Sequence, residues 1–436
     1  MSKDKVMSEH ESAKFSLSGA TLYGINAVIG SGIFLLPQKI YKDLGPASLG
    51  AMLFDAVLVL MLAVCFAEVS GYFDKNGGAF QYAKAAFGDY IGFNVGFLGW
   101  VVTMIAWAAM AAGFAKLFII SFPVFEGQNI PISIALVALL SAINLMGIKT
   151  SKIFTLVMTI SKLIPIVAFV LCSFFFLSKG AANFSPFLQL TEGMSLPQAV
   201  AGTSLTVFYA FIGFEALPIV AGEMRDAKRN VPKAIIGSIS IVSILYFMII
   251  AGTIAMLGGG IMATKAPVQD AFAAMVGPIG AQVIQIGALI SIAGLNMGES
   301  IMIPRFGASV AEEGLLPAAL AKKNAKEAPY VGIFVSAAVT ISLLLIGSFE
   351  QLADLSVVFR FFQYIPTALA VITLRKRDMG HAPAFRVPFG PVIPILAIIV
   401  SAYMLVVSEP MNVVYGAIGV AIATVAYYAL NGKKAK

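Results

Sequence analysis

The sequence predicts an all-α integral membrane protein of about twelve spanning helices. Three observations carry that expectation. Apolar residues make up 59% of the 436-residue chain and charged residues only 12%, about half the charged share of a soluble globular chain. Mean hydropathy is +0.91. The apolar residues also gather into runs approaching the ~20 residues that a helix needs to cross a bilayer, with basic residues collected between them. Lipid must therefore face much of the surface. The net charge of +7 then reads as a set of topology determinants, and nucleic acid is excluded as a partner.

The first run, 17–43, follows Lys3, Lys5 and Lys14 without a small-residue cleavage site. It is expected to be a retained helix, not a signal peptide. The next runs are 47–73, 90–120, 131–149 and 153–178. At the third run, Gly88, Gly92, Gly96 and Gly99 recur at near-helical spacing, which close helix packing explains. After a polar interval come 197–223, 232–258 and 278–306, the last interrupted by Asn296 and Glu299. The series ends with 329–348, 353–374, 391–408 and 411–430. The chain thus divides into a tail at 1–16, five runs over 17–178, five over 197–374, a final pair over 391–430 and a tail at 431–436.

Basic residues fix the orientation. With the N-terminus in the cytoplasm, that side holds Lys75, Lys84, Lys149, Lys152, Arg225 and Lys228, followed by Arg229, Lys233, Lys322, Lys323 and Lys326, and then Arg375, Lys376, Arg377 and Arg386. The opposite loops hold Lys39, Lys42, Lys179 and Lys265. An even number of spans places both termini inside the cytoplasmic membrane's inner face.

An internal echo organises the runs. Gly32-Ile33-Phe34-Leu35-Leu36-Pro37 in the first matches Gly213-Phe214-Glu215-Ala216-Leu217-Pro218 in the sixth, with Gly, Leu and Pro in register. Five spans separate the copies, so the second enters the membrane from the other side, as in an inverted-topology repeat. Gly30 and Gly32 weaken the first helix by about 1 kcal/mol each relative to Ala, and Pro37 removes an amide donor. Together they favour unwinding near 29–34, and Gly213 with Pro218 does the same in the sixth span. Irregular backbone at membrane depth persists only where it lines a cavity or is buried in protein. Amides in one break can hold a carboxylate, and freed carbonyls near Tyr209 to Gly213 can accept from an ammonium. Two such breaks suit the two ends of an α-amino acid. Simple kinking of packed helices is the plainer alternative.

The chain resembles the amino acid–polyamine–organocation (APC) transporter superfamily, in its bacterial amino acid permease branch, over nearly its whole length. The resemblance rests on Gly30-Ser31-Gly32-Ile33-Phe34, Gly77-Gly78-Ala79-Phe80-Gln81-Tyr82 and Gly213-Phe214-Glu215. It rests also on Glu223 with Lys228-Arg229-Asn230-Val231-Pro232, on Arg305 with Glu313-Gly314-Leu315-Leu316-Pro317, and on Phe385-Arg386-Val387-Pro388. It implies five-plus-five inverted repeats with discontinuous helices 1 and 6, two extra C-terminal helices and alternating access. By the same resemblance, Gly30 and the amides of Ser31, Gly32 and Ile33 would meet substrate carboxylate. The carbonyls of Phe211, Ala210 and Phe214, beside Gly213, would meet the amine, with Phe211 an aromatic lid on the outer side. It also implies that Lys162 holds its ammonium where sodium-coupled relatives bind the ion, making transport sodium-independent.

Ionisable residues at membrane depth are functional by default. Lys162 lies about 14 Å deep in the fifth span at 1.5 Å per residue; pairing with a carboxylate is its structural alternative. Glu215, beside the sixth-span break, suits either proton coupling or orientation of the break. Asp55 and Glu299 would favour cationic substrates if they reach the site, whereas an apolar pocket around Trp107 would disfavour them. Glu68 suits a gate or loop anchor, and Arg360 a structural pair. Thr103, Trp107 and Asn296 are expected in a side-chain pocket, and Asn26 either there or on freed backbone.

The expected function is secondary transport of an amino acid or related amine, by exchange or with protons. A polyamine or amino acid/amine antiporter is the nearest alternative, and a substrate-binding sensor the alternative from another class. Cys65 and Cys172 lie in apolar runs, and His10 and His381 in polar segments. With no metal-ligand cluster and no nucleophile–base pair within a span, neither an enzyme, a metal site nor a cofactor is expected.

Overall fold

The computed structural model describes residues 14–73, 77–147, 152–408 and 410–431. Residues 1–13 and 432–436 of the two tails, His10 among them, and the loop residues Lys75 and Lys149 fall outside the described residues. Among the described residues the secondary structure is helical, with one isolated bridge between Phe15 and Met224.

All twelve apolar runs coincide with helical structure. The first is broken into α1 (Leu17–Val28), α2 (Gly32–Leu35) and α3 (Pro37–Lys42). Ser16 starts α1, its side chain accepting from the Gly19 amide at 3.3 Å, as an N-cap serine does. There follow α4 (Ser48–Ser70), α5 (Ala79–Phe87), α6 (Asp89–Ser121), α7 (Asn129–Leu145) and α8 (Lys152–Phe176). The sixth run is broken in turn, into α9 (Leu196–Phe211) and α10 (Ala216–Ile219). The rest are α11 (Ala227–Leu257), α12 (Pro267–Val276), α13 (Pro278–Glu312), α14 (Tyr330–Ile346), α15 (Phe349–Leu374), α16 (Val392–Val407) and α17 (Pro410–Asn431).

Eight stretches among the described residues are long and apolar enough to cross a membrane, and α7, α14 and α16 are apolar but shorter. The eighth run, in which Asn296 and Glu299 interrupt the apolar residues, is one continuous helix, α13. Asn296 stays inside α13 because its side-chain amide donates to Ile292 O at 2.8 Å and Met110 O at 3.3 Å.

Two short helices were not expected, α5 and α12, each lying in a connection. Each is joined to the long helix after it by a glycine in nearly the same conformation: Gly88 at φ 87°, ψ −177° and Gly277 at φ 84°, ψ −171°. A side chain there would be strained. Gly88 is therefore an elbow, not a packing glycine of the third run. Gly92 and Gly96 do pack closely, against Lys84 and Phe80 of α5.

The long α6 and α15 lie together, with α13 on α6 and α11 on α1 and α4. Phe66, Phe208, Phe214 and Tyr364 fill the centre, all buried, with ring centroids of neighbouring pairs 5.4–6.0 Å apart. Leu53, Phe175, Ile279 and Val406 are among many large apolar side chains left exposed, as a surface that faces lipid requires.

Candidate functional site

The two helix breaks touch. After Val28 the chain turns extended at Ile29 (ψ 98°), and after Phe211 it does so at Ile212 (ψ 140°), followed by Gly213 at φ 131°. A Cβ on Gly32 would lie 2.9 Å from Ala210 Cα, and one on Gly213 would collide with the Ala27 carbonyl. Glycine is needed at both because backbone meets backbone. The echo of the sequence is not conformationally exact: Gly213 stands within its break, whereas Gly32 is the first residue of α2. A hydrogen bond of 3.3 Å between Ser31 Oγ and Tyr209 OH links the two segments.

Between the breaks lies a cavity of about 50 Å³, room for a few waters. Of the residues singled out in the sequence, Gly30, Ser31, Gly32, Ala210, Gly213 and Thr103 line it, and so does Glu215. Met110 of α6, Glu299 and Met302 of α13 and Arg360 of α15 stand on the wall beside them, with apolar residues such as Ala106, Ile219 and Leu295. Tyr209, named in the sequence only for its carbonyl, also lines the cavity; its place one turn before Gly213 is the signal that could have pointed to its side chain.

Ile33, Phe211, Phe214, Asn26, Trp107, Asn296 and Lys162 do not line this cavity. The Phe211 ring packs on Tyr246 at 5.3 Å, and Phe214 sits between Phe66 and Tyr364 at 5.4 Å from each. The aromatic side chain facing the cavity is Tyr209. Ile33 is buried in the core, as is Trp107, whose indole N–H has no partner among the described residues.

Lys162 reaches the first break from behind. It is fully buried, and its Nζ donates to Asn26 O at 2.9 Å and Ile29 O at 2.7 Å. These carbonyls face the place where α1 loses its regular pattern, so the ammonium replaces amides that the unwound chain no longer supplies. Ser291 Oγ adds a bond to Ile29 O at 3.4 Å, and Tyr246 OH one to Val28 O at 3.2 Å.

Glu215 plays the corresponding part at the second break. Its Oε2 accepts from the Gly213 amide and from Tyr364 OH, each at 3.0 Å, while Oε1 pairs with Arg360 Nη1 at 3.0 Å. Arg360 Nη1 also donates to Gln363 Oε1 at 3.3 Å. Asp55 is buried away from the cavity, near Ser204 of α9, with neither oxygen partnered among the described residues.

Ion pairs close the bundle at both ends of α15. At its start Lys39 pairs with Asp354 at 2.8 Å and Lys116 with Glu350 at 2.6 Å. Beyond its other end, Arg375 donates to both oxygens of Glu68 at 2.6 Å, and Val387 N donates to Glu68 Oε2 at 2.6 Å. Hydrogen bonding to Glu68 raises the Arg375 pKa further above the ordinary arginine value. Glu68 thereby anchors the Phe385-Arg386-Val387-Pro388 loop. Among the described residues no group of three His, Cys, Asp or Glu could hold a metal.

Comparison with known proteins gives a match to the amino acid permease family over residues 15–428. The chain is 30% identical over 419 residues to an uncharacterised transporter of Mycobacterium tuberculosis, covering 89% of this chain and 86% of that one. It is 28% identical over 429 residues to a serine/threonine exchanger of Bacillus subtilis, covering 94% and 95%. A branched-chain amino acid permease of the same organism is 26% identical over 440 residues, covering 95% and 92%.

Proposed function

The chain belongs to the amino acid permease family, and from that premise we propose that it is a sodium-independent secondary transporter of α-amino acids working by alternating access. The observation that carries this reading is the meeting of the two helix breaks around one cavity. The Ser31–Ile33 backbone stands on one side of the contact and the Ala210–Gly213 backbone on the other. Backbone amides there suit the substrate carboxylate, and freed carbonyls suit its ammonium. Such a site binds any α-amino acid by its common part and leaves the side chain to Thr103, Met110, Glu299 and Met302.

Sodium independence rests on Lys162. Its ammonium already donates to the two carbonyls of the first break that a monovalent cation would otherwise satisfy. Alternating access is supported by the ion pairs at the two ends of α15, since a path to either side of the membrane must open one set. The conformational echo of Gly88 and Gly277, each leading into a long helix, supports inverted repeats over 17–178 and 197–374, with the helices of 391–430 added. The basic loops support an orientation with both termini in the cytoplasm and Arg375 at the inner face.

The test is uptake of a labelled amino acid panel into proteoliposomes, with an amino acid or a proton gradient supplied from the other side. Saturable, competable uptake supports the reading and separates exchange from proton coupling. Binding without any uptake points instead to a sensor.

A further inference from the structure

Glu299 is the acidic residue of the cavity wall with a carboxylate oxygen that no hydrogen-bond donor among the described residues meets. Glu215, on the same wall, is taken up: Arg360, Tyr364 and the Gly213 amide all donate to it. Arg360 in turn spends its Nη1 on Glu215 and Gln363. Glu299 lines the cavity, yet its Oε2 has no hydrogen-bond partner among the described residues. Lys162, the other cation at this depth, is committed to Asn26 O and Ile29 O and does not line the cavity. With Glu299 ionised, two carboxylates and one guanidinium leave the wall one negative charge in excess. A zwitterionic amino acid with a neutral side chain cannot balance it.

Resting on the reading of the chain as an amino acid transporter, we propose that Glu299 selects substrates whose side chain ends in an ammonium group, so that short diamino acids are preferred over neutral ones of the same size. The α-carboxylate and α-ammonium bind to the breaks, and the second ammonium donates to Glu299 Oε2. Size sets the other limit. The cavity holds only a few waters' worth of free space, and Met110 and Met302 lie on its wall. A short side chain fits this description better than a long polyamine. A charge-assisted hydrogen bond is stronger than one between neutral groups, so a hydroxyl at the same place should gain less.

Three probes of matched length decide the matter: 2,4-diaminobutyrate, homoserine and norvaline, which end in ammonium, hydroxyl and methyl. Uptake of each is measured in proteoliposomes at one pH, for the wild type and for Glu299→Gln. In the wild type, kcat/KM should rank diaminobutyrate above homoserine above norvaline, with about ten-fold or more between first and last. In Glu299→Gln the ratio of diaminobutyrate to norvaline should fall to near one. Should the glutamine variant not fold, Glu299→Asp keeps the charge and should keep the ranking. Norvaline uptake equal to or above that of diaminobutyrate in the wild type overturns the inference and leaves the transporter reading standing. An unchanged ratio in Glu299→Gln also overturns it. No saturable uptake of any α-amino acid overturns both.

Discussion

Lys162 of α8 and Arg360 of α15 each hold one of the two helix breaks, and each stands about three turns into its helix. Lys162 acts directly, donating to Asn26 O and Ile29 O. Arg360 acts through Glu215, whose carboxylate accepts the Gly213 amide. The difference follows from what each break exposes. Where carbonyls are freed, a cation suffices. Where an amide is freed, a carboxylate is needed, and a buried carboxylate needs a counter-charge.

That arrangement predicts non-additive stability. The Arg360–Glu215 pair is only 5% and 6% exposed, and removing one partner leaves a buried charge unanswered, at about 3–5 kcal/mol. Arg360→Leu should lower the melting temperature in detergent strongly. The double variant Arg360→Leu with Glu215→Gln should recover part of the loss, because the orphaned charge is gone. A double variant less stable than Arg360→Leu alone would mean that the pair does not act as a unit.

Substitution of either break glycine should separate the two segments. At Gly32 even a Cβ would approach Ala210 Cα to 2.9 Å, and Gly213 adds a φ of 131° that a side chain disfavours. Gly32→Leu and Gly213→Leu should abolish substrate binding, at least ~100-fold in affinity on about 3 kcal/mol of overpacking, while membrane insertion persists. Calorimetry on purified variants with wild-type elution profiles measures this. Binding at wild-type affinity in both would place the substrate elsewhere.

The bundle and its two breaks were legible in the sequence because lipid imposes long apolar runs and glycine with proline marks where they fail. Lys162 was legible for the same reason, since an ammonium at that depth stands out. The helices α5 and α12 were not, being too short to span and carrying Lys84 and Asp270. Within the site, the backbone residues and the polar side chains of Thr103, Glu215, Glu299 and Arg360 could be named, but Tyr209, Met110 and Met302 could not. Phe211 and Tyr209 differ by two positions, about 200° around a helix, and only packing decides that Tyr209 faces in while Phe211 turns to Tyr246. Trp107 and Thr103 lie one turn apart on the same side of α6, yet only Thr103 lines the cavity, Trp107 being buried in the core.

Transport should proceed without sodium. Replacement of sodium by choline should leave initial uptake within about two-fold, because Lys162 already occupies the first break's carbonyls with a charge-assisted hydrogen bond. Initial rates across a sodium series in proteoliposomes are the measurement. A steep, saturable rise with sodium would assign those carbonyls, or others, to the ion.

The proposed alternating access turns most directly on Lys162. It joins α8 to α1 at the point where α1 gives way, and it contributes nothing to the cavity wall. Removing it should therefore spare the groups that face substrate and disturb the coupling of the break to the scaffold. Asn26 O would lose the Lys162 donor, at about 1–3 kcal/mol, Ile29 O would keep only the longer bond from Ser291 Oγ, and the arrangement of the first break would no longer be fixed relative to α8. Lys162→Ala should cut uptake by about ten-fold or more while substrate affinity changes by less than about three-fold, a split that general unfolding would not produce. Lys162→Arg, which keeps a charge but not the compact ammonium geometry, should restore uptake only partly. Binding and uptake of the same preparations, side by side across a pH series, give the answer. Uptake at the wild-type rate in Lys162→Ala at every pH would make the lysine a packing residue and remove the basis for sodium independence.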